Sequence, residues 1–206
     1  MTLQELIDNK EVLYIYEIGL QIYGLFPETD DRDYLIIVSD KFCVDKELYD
    51  NYTFYNITDW FNMVLNNRMI AWICACLPKK FVIKEYVKLL LQTNPLQLRK
   101  EFDAFYKYKI DFAKDCISEG NSLTGQKALW DLISYLKFAN QIIENHKIVN
   151  FKDVAEDYRQ IVNGQVDDES IIMNTFYTRL NTPLTLFKNY TDGVLNASKI
   201  KKIVQS

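Results

Sequence analysis

The sequence predicts an α+β fold, with a small sheet in residues 1–60 and a helical bundle region over residues 61–206, on three observations. Val12 to Tyr16 and Tyr34 to Val38 are runs of β-branched and aromatic residues bounded by Gly, Pro and Asp, a pattern of extended chain buried on both faces. Beyond residue 58 the apolar period turns helical and stays so. The 206 residues, 49% hydrophobic and 25% charged with 6 Gly and 4 Pro, have ordinary globular composition, enough for one domain or two small ones.

Each element has a local cause. Thr2 and Glu5 have capping-box spacing, in which a hydroxyl and a carboxylate satisfy orphan amides, so a helix is expected over residues 3–9. The two strand segments follow, with a third at Tyr52 to Tyr55. A helix beginning near Thr58 carries the stripe Trp60, Phe61, Val64 and Leu65, and Val82, Ile83, Tyr86, Val87 and Leu90 form a second helical stripe. Asn94-Pro95, a cap followed by proline in the first turn, opens a helix over 95–118 that Gly120 closes. Leu129, Leu132, Ile133, Leu136, Ile142 and Ile143 mark a helix over 124–145. Two more are expected at Phe151 to Val162 and Ser170 to Leu180, with Lys199 to Lys202 as a frayed or surface-bound tail.

Composition removes several function classes. His-based metal sites need two or more histidines, and only His146 is present. Cys43, Cys74, Cys76 and Cys116 lack CxxC spacing and the density of a disulfide scaffold, and no signal-peptide pattern opens the chain, so a reduced cytoplasmic protein is expected. The longest apolar run, Met69 to Leu77, is nine residues, against roughly 20 for a membrane span, and no membrane partner is expected.

Charge is unevenly distributed. Residues 1–60 carry 13 acidic and 4 basic side chains, whereas residues 61–206 carry 15 acidic and 20 basic ones. An acidic part suits divalent cations and a basic part suits phosphates; solvated surface charge accounts for the same counts.

The chemistry-bearing stretch runs from Gly19 to Asp33, between the first two strands, and pairs a Gly turn with two carboxylates. Asp31 and Asp33 have period-two spacing, so at a strand's start both leave the same face and can hold hard cations through oxygen. Two Mg²⁺ ions so placed activate an attacking hydroxyl and neutralise a leaving pyrophosphate. An acidic turn before a strand also arises for structural reasons alone, because Asp favours turns.

Gly19, Tyr23, Gly24, Asp31 and Asp33 resemble the "GS…YG…(S/T)DxDxR" signature of the DNA-polymerase-β-like nucleotidyltransferases, particularly those of bacteria and phages. Asn66-Asn67 with the following apolar run resembles that family's "GNP" segment, and Lys127 to Asn145 resembles a later helix, so the likeness covers residues 10–160. It implies a nucleotidyltransferase-type mixed sheet and a helical region forming the other wall of a cleft. Mg²⁺ or Mn²⁺ with a nucleoside triphosphate would be bound there, and the nucleoside monophosphate passed to a hydroxyl of RNA, a protein or a small molecule. Asp31 and Asp33 would ligate the metal, Gly19 and Leu20 would form the phosphate turn, and a third carboxylate would act as ligand or base.

Departures from that signature are equally specific. Leu20 replaces the Ser after Gly, and the third carboxylate falls at Asn51, with Asp50 one residue away and needing a bulge or strand end to serve. The family's Glu falls near Ala71, and its His and Arg near Asp131 and Ser134. Retained apolar positions with lost polar ones describe a degenerate active site, which makes a binding or regulatory role the alternative to catalysis. Lys127, Lys79 and Lys80 are the cations available for a triphosphate, with Lys127 preferred from the resemblance.

Remaining candidates have plain readings beside the functional ones. Cys74 and Cys76 lie in an apolar run and read as core. Cys116 and His146 have nothing in the sequence to bring them together. Tyr86, Phe102, Phe105, Tyr106 and Tyr108, between Lys107 and Lys109, could stack bases, but their helical spacing reads as core.

Overall fold

The computed structural model describes residues 2–25, 32–42, 51–162 and 167–204, with side chains through Val194. It is α+β, and the chain divides into two units, Met1–Gln92 and Thr93–Ser206.

In the first unit α1 (Leu3–Asp8) starts on the expected capping box: the Glu5 N–H donates to Thr2 Oγ1 and the Thr2 N–H to Glu5 Oε2. It is followed by β1 (Val12–Glu17), a 3₁₀ turn at Leu20–Tyr23, β2 (Tyr34–Val38) and β3 (Tyr52–Asn56). Then come α2 (Ile57–Leu65), α3 (Met69–Cys76) and β4 (Val82–Glu85). The sheet order is β3-β2-β1-β4. It is mixed: β1 runs antiparallel to β2 and β4, and β3 runs parallel to β2.

Both central strands are buried on two faces, as their sequences require. Ile15, Tyr34, Ile36 and Phe54 pack with Leu6 of α1 on one face. The alternate residues Tyr14, Tyr16, Leu35 and Ile37 face the other side, where Tyr16 meets Trp60 of α2 with ring centroids 6.2 Å apart.

The stripe from Val82 to Leu90 is not helical. Val82–Glu85 is a strand and no helix resumes before Pro95. The segment opens with adjacent β-branched residues and lacks a capped start, and the free edge of β1 supplies a ladder for it. The sheet-bearing unit consequently runs past residue 60, to Gln92.

The second unit is helical. α4 (Pro95–Ser118) has Asn94 as its cap, accepting from the Gln97 N–H at 3.1 Å. Gly120, at φ 83°, turns the chain into α5 (Ser122–Asn145), and Gly125 lets the two helices approach. The 151–162 segment divides into a 3₁₀ turn, Phe151–Val154, and α6 (Ala155–Ile161). α7 (Glu169–Val204) continues well beyond Leu180 through Pro183. Phe176, Leu180 and Phe187 keep one apolar stripe buried across the proline, and Asn140 Nδ2 donates to the Pro183 carbonyl at 3.0 Å. That packing outweighs the roughly 3 kcal/mol by which an interior proline disfavours a helix. Lys199 to Lys202 therefore lie within a helix, not a separate tail. No helix among the described residues is long and apolar enough to cross a membrane.

Candidate functional site

The end of the first unit's sheet gathers the turn after β1 and the starts of β2 and β3. The Ile18 N–H donates to the Asp33 carbonyl at 2.9 Å, and the Tyr34 N–H to the Asn51 carbonyl at 2.8 Å. The parallel register pairs Tyr34 with Tyr52, so Asn51 stands beside Asp33, each one residue ahead of its strand. Asp33 and Asn51 are both exposed. Strand alternation groups Asp33 with Leu35 and Ile37, on the face bearing Tyr14 and Tyr16. Asp31 and Asp50 lie outside the described residues.

Gly19 precedes the 3₁₀ turn with ordinary extended backbone, and Leu20 is that turn's first residue. A Cβ on Gly19 would stand 2.5 Å from Gln21 Oε1, so the space left by the missing side chain is filled by the Gln21 amide. Gln21 is held there by donating from Nε2 to Glu17 Oε1 at 2.9 Å. Gly24, at φ 75°, closes the turn in the left-handed conformation that glycine adopts without steric cost.

Glu17 is a functional candidate that sequence reasoning missed. It ends β1, is buried, and faces Arg32 with Nη1 3.6 Å from Oε2. The available signal was an acid closing an otherwise apolar strand. Its cross-strand partner is Tyr34, so it sits on the α1 face, opposite to Asp33. Burial raises the Tyr34 pKa, the nearby Glu17 charge adds to this, and Arg32 opposes it.

The fit to a metal and triphosphate is partial. Among the described residues no three His, Cys, Asp or Glu side chains converge as a metal site. Asp33 supplies one hard oxygen ligand, Asn51 offers only a neutral amide, and the Gly19 concavity holds Gln21.

The other expected positions have structural occupations. Lys127 is exposed on α5 in the second unit, with Asp131 as a charged neighbour one turn on. Asp131 pairs with Lys109, Nζ to Oδ2 2.5 Å; burial nevertheless raises its carboxyl pKa, with Lys109 and then Lys127 opposing. Ala71 is fully buried, and Ser134 is buried with its hydroxyl unpartnered among the described residues. Asn67 ends the turn after α2 at φ 54°, with its buried Oδ1 likewise unpartnered. Lys80 lies over the Phe81 ring, 4.6 Å from the centroid.

Cys74 is buried and its thiol pKa is pushed well up by burial, so it is packing. His146 closes α5 at φ 56°, its Nδ1 3.0 Å from Thr93 Oγ1. Phe102 is core, against Tyr106, Tyr135 and Phe187, whereas Tyr86 and Tyr108 are exposed. No family model, curated protein or solved structure matches the chain.

Proposed function

We propose that this chain is a nucleotidyltransferase-like protein that takes a Mg²⁺- or Mn²⁺-bound nucleoside triphosphate at the end of its sheet. The observation carrying this reading is the meeting of the Gly19 turn with Asp33 through the Ile18–Asp33 hydrogen bond. When bound, the metal supplies charge neutralisation at the phosphates and activation of a hydroxyl acceptor. Asp33, with Asp31 two residues before it in the sequence, would ligate that metal.

A second reading, a catalytically degenerate member acting as a binding or regulatory protein, draws support from Asn51. A neutral amide beside Asp33 cannot deprotonate an acceptor hydroxyl, and a lost ligand or base removes several kcal/mol of transition-state stabilisation. Leu20 and the Gln21 amide at Gly19 add to it.

The test is thermal stability with Mg²⁺ or Mn²⁺ and each of the four NTPs, beside Asp31→Asn/Asp33→Asn, with pyrophosphate release measured in parallel. At about 100 times its dissociation constant a nucleotide stabilises the fold by roughly 2.7 kcal/mol. A metal-dependent shift absent from the variant supports the site, and pyrophosphate release then separates transfer from binding alone. No shift with any nucleotide removes the nucleotide-site reading and leaves the degenerate, partner-binding one.

A further inference from the structure

On the sheet face bearing Tyr14 and Tyr16, two cavities of the first unit share one lining residue, Lys88. The first has a volume of about 300 Å³ and is almost wholly apolar. Leu13 and Tyr14 both line it although they are consecutive, because the register shift between Val12 and Tyr14 breaks the usual alternation. Phe61 and Val64 of α2 and Val87 and Leu89 after β4 complete it. The Tyr14 hydroxyl is hydrogen-bonded to the Val87 backbone, which fixes this segment against the sheet. Phe61, Tyr86, Val87 and Leu90 leave large apolar areas exposed, more than scattered surface residues require.

The second cavity, about 440 Å³, is polar at its edge. Cys74 of α3, Leu77 just past it, Val82 and Glu85 of β4, and Lys79 line it with Lys88. Neither lysine has an ion-pair partner among the described residues, and Glu85 is the one acid in the lining. Behind it the buried Tyr16 hydroxyl has no hydrogen-bond partner among the described residues. Its electrostatic neighbours are Cys74 and Glu85, and burial keeps it protonated, a donor without an acceptor.

We infer that the two cavities form one binding site for an amphipathic anion, its short apolar body against Leu13, Phe61 and Val64 and its carboxylate or phosphate head at Lys88 and Lys79. Ligand cavities start at about 300 Å³ and combine apolar walls with a few placed polar groups, as here. Lys88 belongs to both linings and Lys79 to the second alone, so the surplus positive charge lies on the polar side of the apolar chamber, which suits one head group on one apolar body. The site shares no lining residue with the Gly19–Asp33 cluster.

The experiment is calorimetric titration of the full chain with decanoate and with decyl phosphate, using decanol as the neutral control. Lys88→Gln removes a charge from an exposed side chain, and Val64→Phe fills the apolar chamber. Saturable one-to-one binding of an anion is expected, weakened about tenfold by Lys88→Gln while decanol is unaffected. Val64→Phe should weaken all three ligands; if that variant fails to fold, Lys88→Gln decides alone. Tighter binding of decanoate assigns a carboxylate ligand, and tighter binding of decyl phosphate a phosphate. Absence of saturable anion binding up to millimolar concentration, decanol binding as tightly as the anions, or unchanged anion affinity in Lys88→Gln would each overturn the proposal. So would a dimer, removed by Phe61→Ser, whose formation blocks the ligands.

Discussion

Lys137 Nζ lies 2.7 Å from Oδ2 of Asp157, a carboxylate only 2% exposed, while Arg179 Nη1 approaches the other oxygen to 3.3 Å. One buried acid thus joins α5, α6 and α7. Deleting the acid leaves two partly exposed cations, with Lys137 still beside Asp153 Oδ1 at 3.6 Å, so only part of the cost of breaking a buried pair applies. Asp157→Ala should lower stability by about 1–3 kcal/mol in urea unfolding. A change under 1 kcal/mol would show that solvent reaches the site.

Two helical glycines should respond to alanine with opposite signs. At Gly125 a Cβ would stand 2.7 Å from the Ala113 carbonyl oxygen and 2.6 Å from Ile117 Cγ1. Backbone cannot yield cheaply, so overpacking of about 1–3 kcal/mol exceeds the roughly 1 kcal/mol gain in helix propensity. At Gly193 a Cβ meets nothing within 4 Å, and propensity acts alone. Thermal melts should show Gly125→Ala below the wild type and Gly193→Ala above it.

Asp168 gives the second unit a pH-dependent element. Its carboxylate accepts from the Ser170 hydroxyl and from the Ile171 and Ser170 amides, which holds its pKa below the ordinary 3.8. An acid with a depressed folded pKa stabilises the fold above its unfolded value and loses that contribution as pH falls through the folded one. The stability gap between wild type and Asp168→Ala should be constant at neutral pH and narrow below about 3.8. A gap that widens on acidification would contradict this.

At the sheet end, Asn51→Asp puts a second carboxylate beside Asp33, which the proposed metal–nucleotide site would use. Without metal the like charges repel and the melting temperature should fall slightly. With Mn²⁺ and a nucleotide, affinity should rise roughly tenfold, or 1.4 kcal/mol. Unchanged nucleotide affinity would separate Asn51 from any metal site.

Most of the fold could be read from residues because its causes are local. The Thr2–Glu5 box, the Asn94-Pro95 start and the buried β1 and β2 runs each carry their signal within a few positions. Val82–Glu85 could not be read that way, since its strand character depends on the edge of β1, some seventy residues earlier. The continuation of α7 through Pro183 likewise depends on Asn140 and on the apolar stripe of another helix. At the candidate site, the register of Asn51 against Asp33 matches the spacing in the sequence. Glu17 and the Gln21 amide at Gly19 were hidden because their roles rest on contacts across the turn.

The pairing of β4 with β1 also sets an order of assembly. Lys84 donates from β4 to the carbonyls of Ile7 and Asn9 at 2.8 and 2.7 Å, so the first helix is capped by one of the last residues of its unit. On a ribosome, a chain ending before Val82 would carry β1 with a bare edge and α1 without its lysine contact. A bare strand edge in a nascent chain is open to misassembly, and a β1–β4 pairing some seventy residues apart is the kind of long-range contact that slows folding.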